Sequence, residues 1–229
     1  MRNQSFVAAS TRARIRGWAI PIALAFGRLG LTPNALTIIG FAGTCVAAIA
    51  AGMQSWVAAG VLVIAFGIFD LFDGALARAT GKASKFGAFL DSTFDRTGES
   101  IVLVGVAVGF ATSGFASNGV LLAGLAAAFA SSVTYTRAKA EALNLSGEVG
   151  VAPRPERLII LAAGLIIGGL LGPGNTPTCN TCAGGAAYPS GLLVIQAALG
   201  LIALLSAITV IQRIVHVKRQ LDAAQQESQ

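Results

Sequence analysis

Six stretches of mostly apolar residues, each about long enough to cross a bilayer, alternate with shorter segments that hold the charges. They run from about Asn34 to Met53, Ser55 to Ala79, Phe86 to Thr112, Ser117 to Leu143, Glu156 to Leu171 and Ser190 to Val217. Length and near-continuous apolarity, rather than a one-sided stripe, predict six transmembrane helices in an all-α, polytopic membrane protein. The turn signal Gly30-Leu-Thr-Pro-Asn34 opens the first of them.

The charges support this division. All 16 Lys and Arg and all 10 Asp and Glu fall in the N-terminal region, the hairpin of spans two and three, the region of spans four and five, or the C-terminal end. The links near Gln54, over 113–119 and over 172–189 hold none. An excess of Lys and Arg marks cytoplasmic loops. Both termini and the charged connections are therefore expected in the cytoplasm, around a multi-pass cell-membrane protein. A single domain over 1–229 is expected, with a bundle over 31–217 and a cytoplasmic tail over 218–229.

Composition agrees: 55% of residues are hydrophobic and 11% charged, against about a quarter charged in a soluble domain. Arg2, Arg12, Arg14 and Arg16 precede an apolar run with no small-residue cleavage site. Residues 1–30 accordingly read as a basic amphipathic helix at the membrane interface. The net charge of +6 suits anionic membrane lipids, and no basic-aromatic groove pattern points to nucleic acid. The 28 glycines serve close helix packing. Cys45 and His216 read as ordinary span residues. Cys179 and Cys182 form half a zinc site at most, leaving a disulfide or no role.

Four carboxylates stand out against this background. Asp70 and Asp73 are three residues apart and Asp91 and Asp95 four apart, so each pair shares a helix face. Taken across the turn, Asp70 with Asp95 and Asp73 with Asp91 straddle nearly the same midpoint in the 81–85 region, which sets the four at matched depth on facing helices, Asp70 and Asp95 roughly 13 Å from the turn at the helical rise. Acids at membrane depth cost several kcal/mol unless something compensates them, and mark function by default. A divalent cation with oxygen ligands is the expected compensation. Two metals bridged by such acids would orient a pyrophosphate. Gly74 and Gly87 leave room beside them, Arg78 sits one turn from Gly74 to hold a phosphate oxygen, and Ser84 adds a hydroxyl. Two other readings compete: buried salt bridges to Arg78, Arg96 and Lys85, and a cation transporter. The second is disfavoured because only spans two and three hold acids at depth.

The pattern Asp70-x2-Asp73-Gly74-x2-Ala77-Arg78-x8-Gly87-x3-Asp91-x3-Asp95 resembles the signature of the CDP-alcohol phosphotransferases. The resemblance implies a metal-dependent transferase that moves a phosphatidyl group from CDP-diacylglycerol to an alcohol and releases CMP. It implies two Mg²⁺ per site, or Mn²⁺, on Asp70, Asp73, Asp91 and Asp95, with Asp95 also the general base. Leu31, Thr32, Pro33, Asn34, Gly74, Arg78 and Ser84 would hold the CDP-lipid, in a homodimer. Tyr135-Thr-Arg-Ala-Lys139 and Arg154-Pro-Glu-Arg157-Leu158 are similar to the branch that uses inositol phosphate. There Lys139, Arg157 and Arg213 would bind the acceptor phosphate. Glycerol phosphate, serine or inositol as acceptor, or an ether-lipid donor, are the alternatives within the family.

Overall fold

The computed structural model describes residues 20–113, 116–172 and 190–227, and helices are the only regular structure among them. A short helix, α1, covers 20–28. Six longer ones follow: α2 (Pro33–Gly52), α3 (Trp56–Ala79), α4 (Lys85–Thr112), α5 (Ala116–Ala142), α6 (Arg154–Leu170) and α7 (Ser190–Glu227). These match the six apolar stretches to within a few residues at most ends. The N-terminal interfacial helix expected over 1–30 lies largely outside the described residues, as do Cys179 and Cys182.

Local chemistry explains where the helices begin. The Thr32 hydroxyl accepts the Ala35 N–H at 3.2 Å, and Pro33 occupies the first turn of α2, where a missing N–H costs nothing. Ser84 caps α4 by accepting the Gly87 N–H at 2.9 Å. Between α3 and α4, Gly81 takes a left-handed φ of +67°, which lets the chain reverse in a short turn.

The end of α7 departs from expectation. Residues 218–227, read above as a tail, continue the helix without a break. They contain no Gly or Pro and are mostly good helix formers. Apolarity marks only where a helix leaves the membrane, not where it stops. The extension is tied down as well: the Gln220 amide donates to the Ser146 carbonyl at 2.9 Å and accepts the Ser146 N–H at 3.0 Å.

The six long helices close a ring. Helix α2 packs along both α3 and α4, α4 on α5, α5 on α7, α7 on α6, and α6 back on α3. Helices α3 and α4, consecutive in the chain, make no extended contact with each other; α2 lies against both. This differs from a simple packed hairpin and leaves space between the two acid-bearing faces. Alanine and larger apolar residues fill the interior, with Trp56, Phe110, Leu103, Leu161, Leu165, Ile195 and Leu199 fully buried. Helices α2 and α4 approach so closely that a Cβ on Gly105 or Gly109 would collide with the Ala48 or Ala51 carbonyl.

The outer surface is apolar. Ile49, Val104, Leu204 and Ile211, on three different helices, are each about 60% exposed, a pattern that suits lipid as solvent. Among the described residues, α2, α3 and the apolar lengths of α5 and α7 are long and apolar enough to cross a membrane. Helix α4 carries Asp91, Asp95, Arg96 and Glu99 between residues 91 and 99, and α6 has only 17 residues. The protein is a membrane protein, all-helical among the described residues.

Candidate active site

The acids converge. One carboxylate oxygen from each of Asp70, Asp91 and Asp95 lies within 4.8 Å of the others, across the space between α3 and α4. Asp73 stands beside them in a different setting. It is 5% exposed, with the Thr37 hydroxyl 2.6 Å from its Oδ2 and the Gly74 N–H 2.5 Å from its Oδ1. Helix α2 thus orients one of the four acids directly.

The donor set fits a hard divalent cation. All candidate ligands are carboxylate oxygens, the chemistry that Mg²⁺ and Mn²⁺ prefer. Asp91 Oδ1 is buried without a hydrogen-bond partner among the described residues, a costly arrangement for an acceptor unless a ligand takes it up. The salt-bridge reading proves wrong in its partners. Among the described residues neither Arg78, Arg96 nor Lys85 forms an ion pair with an acid; Arg154, at the start of α6, does. Its Nη1 lies 3.0 Å from Asp70 Oδ2 and 2.5 Å from Asp95 Oδ2.

A cavity of about 200 Å³ opens from the acids toward the α3–α4 turn. It gathers Pro33, Asn34, Gly74, Arg78, Ser84 and Gly87 with Asp73 and Asp91. The two glycines are functional absences: a Cβ on Gly74 would stand 3.2 Å from the Arg78 guanidinium, and one on Gly87 3.0 Å from Asn34 Oδ1. Leu31 and Thr32 do not line this cavity. Leu31 packs on the small core of Ala23, Leu36, Ala75 and Leu76, and Thr32 is spent as a helix cap. A second, narrower space of about 40 Å³ lies on the other side of the acids, lined by Asp70, Asp95, Glu99 and Arg154 with Phe41, Phe66 and Phe94.

The cations expected to bind an acceptor phosphate are differently placed. Arg157 is 2% exposed and grips Glu99 with two parallel bonds of 2.7 Å, while its Nη1 donates to the Ala152 carbonyl at 3.0 Å. Arg213, also buried, donates to the carbonyls of Val149 and Val133. Lys139 is exposed. Arg137, near them on α5, is held by Glu141 and Glu148.

Three residues of this site escape the sequence reading: Thr37, Glu99 and Arg154. Glu99 carried a signal, since Asp91, Asp95 and Glu99 recur every four residues on one helix face. Thr37 carried none. Arg154 stood in view beside Arg157, but nothing in the sequence separates their roles.

Comparison with known proteins matches this geometry to a family. The CDP-alcohol phosphatidyltransferase profile matches residues 30–208. The chain belongs to the CDP-alcohol phosphatidyltransferase family. Like other members it is a transferase of phospholipid biosynthesis. It is 38% identical to a phosphatidylinositol phosphate synthase of Cutibacterium acnes, over 89% of this chain and 95% of that one. An archaetidylinositol phosphate synthase of Pyrococcus horikoshii is 36% identical over 85% and 87%. Crystal structures of the Mycobacterium tuberculosis phosphatidylinositol phosphate synthase superpose on this CDP-alcohol phosphatidyltransferase. The form with CDP-DAG bound gives a TM-score of 0.73 at 31% identity, covering 87% of this chain and 92% of that one. The complex with manganese and citrate gives 0.74 at 30%, covering 87% and 88%.

Proposed function

We propose that this enzyme transfers a phosphatidyl group from CDP-diacylglycerol to inositol phosphate, giving phosphatidylinositol phosphate and CMP. The observation that carries this reading is the three-carboxylate cluster opening on a cavity lined by Gly74, Arg78 and Asn34, in a chain similar to phosphatidylinositol phosphate synthases over most of its length. The bacterial and archaeal relatives differ by name in the lipid and agree on the inositol phosphate headgroup, so the acceptor is the better supported half of the assignment.

In this reading Asp70, Asp73, Asp91 and Asp95 would hold two divalent cations, which would supply positive charge to the pyrophosphate and to the departing CMP. The rest falls to the chain. Arg78 reaches over Gly74 to the CDP phosphates, with Pro33, Asn34 and Ser84 around the nucleotide; Leu31 and Thr32 act at one remove, by fixing the start of α2 that carries Pro33 and Asn34. Asp95 takes the proton from the acceptor hydroxyl as that oxygen attacks the lipid-side phosphorus and the bond to CMP breaks. Lys139, Arg157 and Arg213 supply the cationic ground for the acceptor phosphate. Arg157 and Arg213 are already fixed by Glu99 and by backbone carbonyls, so less of their freedom is lost on binding. All six long helices span the membrane in this reading, with the site and both termini cytoplasmic, and two copies of the chain form a homodimer.

The direct test supplies CDP-diacylglycerol with a panel of alcohols and follows CMP release. Inositol phosphate is expected to support turnover and chelation to remove it. Activity with glycerol phosphate alone would overturn the acceptor, and full activity after exhaustive chelation would overturn the metal role. Gly74→Val tests the donor cavity. The added Cβ meets the far end of the flexible Arg78 side chain, which can move aside, so the protein is expected to fold. The KM for CDP-diacylglycerol should rise about ten-fold or more, while the KM for the acceptor stays near its original value. Equal effects on both would argue against the cavity as the donor site.

A further inference from the structure

Helix α6 delivers two arginines to the same region, three residues apart, and the structure uses them in opposite ways. Arg157 makes two parallel bonds to Glu99 and a third to the Ala152 carbonyl, with 2% of its surface exposed. That is a strut: it pins the first turn of α6 to α4, one turn beyond Asp95. Arg154 instead grips with a single nitrogen. Nη1 is shared between Asp70 at 3.0 Å and Asp95 at 2.5 Å, its side chain is 28% exposed, and its Nε is buried with no hydrogen-bond partner among the described residues.

A guanidinium with a structural task uses its planar fork on both carboxylate oxygens, as Arg157 does. Arg154 leaves a buried donor unpaired, which is costly and marks an arrangement with an alternative. The acids it bridges are two of the three whose oxygens cluster within 4.8 Å. Any divalent cation taken up there shares those acceptors and repels the guanidinium.

We propose that Arg154 is a tethered competitor for the metal: it neutralises Asp70 and Asp95, is displaced when a divalent cation binds, and thereby sets the metal affinity of the site. This rests on the metal reading given above. The tether is essential to it. Because Arg157 and Glu99 lock the first turn of α6 against α4, Arg154 never moves beyond side-chain reach of the acids. It therefore competes at high effective concentration, whatever the metal concentration outside.

The experiment titrates Mn²⁺ into the purified full-length protein in detergent after chelation and dialysis, and reads binding by calorimetry or by the free-Mn²⁺ paramagnetic signal. Arg154→Gln is expected to bind Mn²⁺ about ten-fold or more tightly than the original protein. Arg154→Lys, which keeps the charge but loses reach, should fall between the two and serves if the glutamine variant does not fold. The melting temperature of the chelated Arg154→Gln protein should drop, while that of the Mn²⁺-loaded protein should not. Unchanged or weaker Mn²⁺ binding in the variants would overturn the proposal and leave the metal reading intact, as would equal loss of stability in both forms. No Mn²⁺ uptake by the original protein would overturn both.

Discussion

Replacing Asp95 by asparagine is expected to abolish turnover while leaving the protein folded and able to hold the CDP-lipid. The amide has the same shape, so the packing of α4 around it survives. What it loses is the negative charge and the ability to accept a proton from an attacking hydroxyl. Removing a positioned general base typically costs 10²–10⁴-fold, and about 10³-fold or more is expected here because the same residue stands in the metal cluster. Donor binding should change little, since the donor cavity is lined by Asp73 and Asp91 rather than by Asp95. The check pairs CMP release under single-turnover conditions with direct binding of CDP-diacylglycerol. Near-native turnover would show that another group takes the proton.

The second large effect is on stability. Glu99→Ala is expected to destabilise the protein by about 3–5 kcal/mol, because it strands the Arg157 guanidinium in the interior with two of its bonds removed. The pair is 7% and 2% exposed and its bonds are short, so almost none of the lost interaction is recovered from solvent. Removing both charges should do less harm than removing one: a Glu99→Leu, Arg157→Met double variant is expected to recover most of the loss. Equilibrium unfolding in mild detergent measures both. A single-variant loss below about 1 kcal/mol, the range of an exposed pair, would mean that the ion pair is solvated in the membrane-embedded protein.

Much of this site is legible in the amino-acid order because helical periodicity is a local property. Asp70 with Asp73 and Asp91 with Asp95 had to share faces, and the short turn at Gly81 had to bring those faces to one depth. What escaped depends on how helices rotate and pack. Spacing could not say that α2 lies against both α3 and α4, so Thr37 had no reason to stand out among its apolar neighbours. Nor could it say which side of α6 meets the acids. Arg154 and Arg157 lie about 60° apart around the helix axis, enough to make one a latch and the other a strut. The length of α7 was missed for a different reason: hydropathy follows the membrane, whereas the helix follows backbone propensity and the hold of Gln220 on Ser146.

The position of Arg154 in the chain also bears on how the protein is made. Synthesis runs from the N-terminus, so α3 and α4 leave the ribosome with their acids well before α6 brings the cation that bridges Asp70 and Asp95. Passing a lone aspartate to the centre of a bilayer costs about 2.5–3.5 kcal/mol on the translocon scale, and the hairpin carries four. The acid-bearing ends of α3 and α4 are therefore expected to linger in the aqueous vestibule of the insertion machinery, or at the lipid headgroups, until the fifth long helix arrives. If all six long helices span the membrane as proposed, charge neutralisation by Arg154 is expected to commit the half-built bundle to its final depth.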